Sequence, residues 1–359
     1  MLYGVAVLGL GLTSAEFAAR IDDRLFGDVP LLANPDRELD LTVRDENGPH
    51  GRPFGMFRKW KLDNFGFLGP DIAPTPTARR VMVLGASETF GLYESAGNDY
   101  PSRLRKLLSE RGNRDVEIVN AGMAGMALPT LLQYWRSWAG GFGAKLVLVY
   151  PSPHFYLDDE PPRIASAPPP ARAPAALDPR DPLQWSRFAV RIKDLVRQIQ
   201  ILRDIRAYLV VRQALRGKGP DYLFTADPPT DRIVAFTRDL EQLSAAIVER
   251  GATPVLVTHA FRYPSPPARG DLAELRYFRM FLPRATPEAM PAFDLAARDA
   301  VLDLGRRRGW TVIDAAPALN GQRHLFADPV HFNDAGSLAM ARQLVGPLEA
   351  LLQSRGGQN

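Results

Sequence analysis

The chain has 359 residues, 46% of them apolar and 23% charged, which excludes a largely disordered protein and allows one large domain or two ordinary ones. The formal charge of +4 is modest, and no dense interleaving of basic and aromatic residues points to nucleic acid. Cysteine is absent, so disulfides, thiolate metal sites and a cysteine nucleophile are all excluded.

Residues 1–26 open the chain with an apolar, glycine-rich run, Leu2–Leu12, followed by an amphipathic stretch, Ala15–Phe26. Glu16 and Arg20 interrupt it before the roughly 20 apolar residues that a spanning helix needs. A membrane anchor, a cleaved signal peptide and a core helix are the three readings of this segment. Residues 27–78 are polar with scattered Gly and Pro, as in an extension packed along a core. The main domain is expected over 79–355.

Five short runs rich in Val, Ile and Leu then predict buried strands: Arg80–Leu84, Val116–Val119, Leu146–Tyr150, Pro254–Thr258 and Thr311–Ile313. Helical spacing lies between and after them, over Tyr100–Arg111, Leu128–Trp138, Asp231–Arg250, Pro291–Arg308 and Asn333–Leu352. Strand alternating with helix predicts right-handed crossovers and a three-layer α/β/α sandwich on one five-stranded parallel sheet. An insertion at about 158–225 begins with the Pro- and Ala-rich stretch Pro161–Pro182. Apolar positions from Trp185 to Leu209 then recur at helical spacing among arginines. That pattern predicts either a cap helix with a solvated basic face or a helix lying on an anionic surface.

Two segments carry chemistry. Gly85-Ala-Ser87-Glu-Thr-Phe-Gly91 leaves the first strand where open α/β sheets build their sites. If a helix opens there, the Ser87 backbone N–H favours a developing oxyanion. Near the C-terminus, Asp328-Pro-Val-His331 precedes the last helix. A serine nucleophile needs a base, and the imidazole needs an acceptor to hold its tautomer; one loop supplies both. No second histidine or acidic cluster stands at metal-ligand spacing in the sequence, so no metal is expected. His259 and Arg262, directly after the fourth strand, are candidates for substrate binding, or His259 for a local cap. His50 and His324 are read as structural or surface residues.

The order of these segments resembles the first and last blocks of the SGNH/GDSL hydrolase superfamily, and Asn120-Ala-Gly-Met-Ala-Gly125 resembles its second block. The resemblance implies a flavodoxin-like sheet and a Ser87–His331–Asp328 triad needing no cofactor. It also implies an oxyanion held by the backbone N–H groups of Ser87 and Gly125. Asn64–Gly69 is similar to a stretch that precedes the core in membrane-linked, polysaccharide-associated members. The family's Gly-Asp-Ser reads Gly85-Ala86-Ser87 here, and its third-block asparagine is missing from Tyr150-Pro-Ser152-Pro-His154. His154 is the candidate to replace that oxyanion donor. The implied activity is hydrolysis or transfer of acyl esters, acetyl esters in particular, on an extracytoplasmic (periplasmic) polysaccharide by a membrane-attached enzyme. A lipid or small-ester esterase at a membrane, and a catalytically weakened carbohydrate-binding or scaffold protein, are the alternatives.

Overall fold

The computed structural model describes residues 2–27, 31–32, 41–46, 48–75, 79–158, 186–198 and 200–356. Residues 2–27 form one helix, α1 (Leu2–Gly27). Of its described side chains only Ala19 is buried, while Leu8, Leu10, Leu12 and Phe17 are exposed. It is therefore not the core helix that one reading of this segment allowed. Among the described residues, no helix is long and apolar enough to cross a membrane.

Two small hairpins follow, β1 (Thr42–Asp45) with β2 (Gly48–Gly51), and β3 (Met56–Phe57) with β4 (Trp60–Lys61). They sit against the core. The His50 ring stacks on Trp138 with centroids 3.9 Å apart, and the Leu68 N–H donates to the Asn120 carbonyl at 3.1 Å. Arg80, wholly buried, donates to the carbonyls of Ala73 and Phe142, each at 2.6 Å, and to the Glu117 carboxylate at 2.5 Å. One guanidinium thus ties the extension, the first sheet strand and its neighbour together.

The central sheet contains β5 (Arg80–Gly85), β6 (Glu117–Asn120), β7 (Leu146–Tyr150), β8 (Thr253–Val257) and β9 (Thr311–Ile313). All pairings are parallel, in the order β6-β5-β7-β8-β9. Within this sheet that is the 2-1-3-4-5 order of doubly wound folds, as expected from the sequence. Alternation along each strand splits the core in two. Met82, Leu84, Val147 and Val149 face one cluster, and Val81, Val83, Leu146 and Leu148 face the other.

The first cluster is covered by α4 (Leu128–Ser137), α7 (Thr230–Glu249) and α9 (Ala289–Arg308), and the second by α3 (Tyr100–Glu110) and α11 (Asp334–Gly356). The single turn α2 (Ser87–Phe90), with α8 (Leu272–Phe278) and α10 (Ala316–Leu319), completes the set that flanks the strands. The basic amphipathic run is two helices, α5 (Arg187–Gln198) and α6 (Gln200–Ala214), and its start is not a free basic face. Arg187 pairs with Asp23 and Arg191 with Asp22 and Asp23 of α1, and Glu16 accepts from Ser186 Oγ and from the backbone of Arg187 and Phe188. Trp185, Ile199 and the Pro-rich stretch 161–182 lie outside the described residues.

Gly51 and Gly66 show how tightly the extension is folded. A Cβ on Gly66 would lie 2.1 Å from the Gly51 carbonyl oxygen, and Gly66 has a left-handed φ of +88°. Gly66→Ala should destabilise the protein by about 3 kcal/mol or more, read as a lowered urea midpoint. An unchanged midpoint would show that this loop is not held as described.

Candidate active site

Sheet topology decides where the site forms. β5 and β7 flank the point where the strand order reverses, and the loops leaving their carboxyl ends carry Ser87 and Ser152–His154. β8 delivers His259 at the same edge.

The turn after β5 is sharply made. A Cβ on Gly85 would meet Thr89 Oγ1 at 2.0 Å, so only glycine leaves room for the chain to fold back. The helix it opens is a single turn, closed by Gly91 in the left-handed region, and the N-terminal dipole expected there is correspondingly small. Asn120 locks this turn from the next strand. Its amide donates to the Thr89 carbonyl at 2.9 Å and to Asp99 at 3.0 Å, while its oxygen accepts the Gly122 N–H. Gly125, two residues further round this turn from Met123, is exposed with φ +78°, and the Met123 N–H donates to the Gly85 carbonyl at 3.1 Å.

Ser87 is 7% exposed, and its Oγ lies 2.8 Å from His331 Nε2, although 244 residues separate them in the chain. His331 Nδ1 lies 2.7 Å from Asp328 Oδ2, while Asp328 Oδ1 accepts the backbone N–H groups of Val330 and His331 at 3.0 and 2.9 Å. Burial raises the Asp328 carboxyl, but the bond and charge of His331 and these N–H groups outweigh it, and the group stays ionised below its ordinary value. An ionised carboxylate only accepts, so Nδ1 carries the proton and Nε2 presents its lone pair to Ser87. Burial lowers the His331 imidazole, but Asp328 more than reverses this and holds it above its ordinary value. The loop is fixed from both sides. The Arg262 N–H donates to the Pro329 carbonyl at 2.9 Å, and the Tyr93 ring lies over His331 with centroids 5.3 Å apart.

Behind Ser87 stands a second group of titratable side chains. Glu88, with no exposed side chain, accepts from Ser152 Oγ at 2.8 Å through Oε1, and its Oε2 lies 3.3 Å from Ser87 Oγ. His259 reaches Glu88 through Nε2 at 3.4 Å and Asp294 of α9 through Nδ1 at 2.5 Å. His154 points Nδ1 at Glu88 from 3.7 Å, and that buried nitrogen has no hydrogen-bond partner. Burial alone would raise Glu88, but the bond from His259 and the surrounding histidines pull it well below the usual carboxylate range. Burial works against a charged His259, yet Asp294 and Glu88 push it up to about 9. His154, lacking such a bond, is pushed down by burial to about 4 and is neutral.

The structure therefore brings Ser87, His331 and Asp328, candidates from the sequence, into one hydrogen-bonded line. It moves His259 from substrate contact to support, because its side chain is 3% exposed and both nitrogens face acidic groups. Arg262 is directed to Glu274 at 3.5 Å and over the Tyr263 ring, away from the triad contacts. No ligands stand at metal spacing in the sequence, yet the fold brings one potential ligand atom each from Glu88, His154 and His259 within 4.8 Å of one another. Glu88, Tyr93 and Asp294 were missed. Glu88 is adjacent to the serine and was in view, whereas nothing in the pattern of α9 marks Asp294.

No family model matches the chain, and no curated protein matches its sequence. Solved structures that resemble it in architecture include the following three. A lipase/acylhydrolase from Enterococcus faecalis is 14% identical, with 76% of this chain and 96% of that one covered at a TM-score of 0.45. A catalytic mutant of an acetylxylan esterase from Geobacillus stearothermophilus is 12% identical, covering 77% and 96% at 0.43. A G-D-S-L family lipolytic protein from Desulfitobacterium hafniense is 11% identical, covering 74% and 98% at 0.42. What the chain does has to come from its own residues.

Proton NMR of His331 tests the tautomer and the cause of its basicity. The ring should titrate above about 6.5, the ordinary histidine value. Asp328→Asn should bring it to or below that value, because the anion that raises it is gone while burial remains. A titration unmoved by Asp328→Asn would contradict the assignment.

Proposed function

We propose that this chain is a serine ester hydrolase or acyltransferase of the SGNH/GDSL type. The observation that carries the proposal is the line from Ser87 Oγ through His331 to Asp328, with both links at 2.8 Å or less. His331 removes the Ser87 proton as the hydroxyl attacks the acyl carbon, and Asp328 stabilises the imidazolium that forms. The backbone N–H groups of Ser87 and Gly125 receive the oxyanion, with His154 contributing from the third block. The alkoxy group leaves with the proton from His331. Water, or a second hydroxyl in a transferase, then takes the acyl group from Ser87.

For the substrate we favour O-acyl, and in particular acetyl, esters of an extracytoplasmic polysaccharide. The likeness of Asn64–Gly69 to polysaccharide-associated members supports this. So does α1, whose exposed Leu8, Leu10, Leu12 and Phe17 suit attachment at a membrane surface. A scaffold protein with lapsed chemistry is disfavoured by the joined triad. Keeping a serine, an imidazole and a carboxylate in register across three segments has no structural purpose that an apolar set would not serve better.

Ser87→Ala removes one oxygen and should leave the urea midpoint nearly unchanged, while ester turnover and labelling by a fluorophosphonate probe are lost. Labelling that persists in Ser87→Ala would place the nucleophile elsewhere.

A further inference from the structure

The space between Glu88, His154 and His259 is shaped by three potential ligand atoms that converge without closing on one another. Glu88 Oε1 is 3.4 Å from His259 Nε2 and 3.7 Å from His154 Nδ1, and all three atoms lie within 4.8 Å of one another. A tetrahedral cation with bonds of about 2.0–2.1 Å holds its ligand atoms about 3.4 Å apart. Two of the separations are already close to that value, while both are long for the hydrogen bonds that would otherwise fill the gap. The geometry points to a divalent-cation site made by Glu88, His154 and His259, beside the nucleophile.

Three independent features agree. The Nδ1 of His154 is buried with no hydrogen-bond partner, a cost that a metal ligand does not incur. His259 turns its other nitrogen to Asp294 at 2.5 Å, the arrangement that fixes the ring and raises the basicity of metal-bound histidines. Glu88 and Asp294 place two acidic side chains in one buried site, at 0% and 4% side-chain exposure, and a cation offsets them. Each ligand is also set by the end of a rigid strand, since Glu88 follows β5, His154 follows β7 and His259 follows β8. Two imidazoles and one carboxylate suit Zn²⁺ or a neighbouring transition metal, whereas Mg²⁺ and Ca²⁺ prefer all-oxygen sets. A proton shared by His259 and Glu88 is the competing occupant.

The role of such a cation rests on the serine-hydrolase reading, though its binding does not. Bound there it would supply positive charge on the side of the site where the third-block asparagine is missing, as a Lewis acid toward the ester oxygen.

The test uses the full chain, stripped with EDTA and titrated with Zn²⁺ and Mg²⁺ by calorimetry, with bound metal counted by mass spectrometry. The expected result is one Zn²⁺ per chain with a Kd below about 1 μM, and no Mg²⁺. Asp294→Asn should weaken binding by about 10- to 100-fold, and His154→Ala and His259→Ala each by more. The His154 side chain is partly exposed, at 16%, so its variant keeps the test alive if His259→Ala fails to fold. No Zn²⁺ taken up to about 100 μM, or variants that bind as tightly as the parent, would overturn the site. Fluorophosphonate labelling of the same samples separates the two readings. Labelling without Zn²⁺ binding removes the cation and keeps the serine chemistry, and Zn²⁺ binding without labelling does the reverse.

Discussion

A carboxylate with no solvent exposure stands one residue after Ser87, the proposed nucleophile, and the surrounding structure is arranged to keep it there. An unpaired buried anion costs several kcal/mol, and beside Ser87 it would also oppose the oxyanion that attack creates. Glu88 is therefore met by the Ser152 hydroxyl at 2.8 Å and by His259, itself held by Asp294. These partners arrive from β7, β8 and α9, so the loops at the sheet edge are bound together through one side chain. Removing His259 would leave Glu88 without the hydrogen bond that most favours its ionised form, which is why the site has to be treated as a unit.

The triad is built on the opposite side of Ser87 by a different device. Its serine and histidine lie 244 residues apart in the chain, and their separation of 2.8 Å depends on the last loop docking accurately. Arg262 holds that loop at Pro329, while Asp334 at the start of α11 accepts from Ser95 N–H at 2.6 Å and Asn98 at 2.9 Å. The Ser87 hydroxyl has one proton and two acceptors within reach, His331 at 2.8 Å and Glu88 at 3.3 Å. The shorter contact directs it to the base that can carry it away.

The sheet was legible in the sequence because strands buried on both faces leave unbroken Val, Ile and Leu runs, and each predicted strand lies within two residues of the one observed. Ser87, Asp328 and His331 were legible because nucleophile, base and orienter have few substitutes. The Glu88 cluster was not. Its members are scattered over 207 positions, from Glu88 to Asp294, at spacings set by the crossovers rather than by any local repeat, and Asp294 sits on a helix whose pattern marks only its apolar face. The paired acidic and basic residues joining α1 to α5 were hidden for the same reason, since a basic helical face reads as solvated until its partner is placed.

An acyl-enzyme on Ser87 is the central claim. The protein is mixed with an acetyl ester, quenched in acid within milliseconds and digested, and the peptides are weighed. The account predicts one acetyl adduct, on the peptide containing Ser87, which is absent from His331→Ala. Turnover of the ester with no adduct on that peptide, or an adduct carried by another residue, would contradict it.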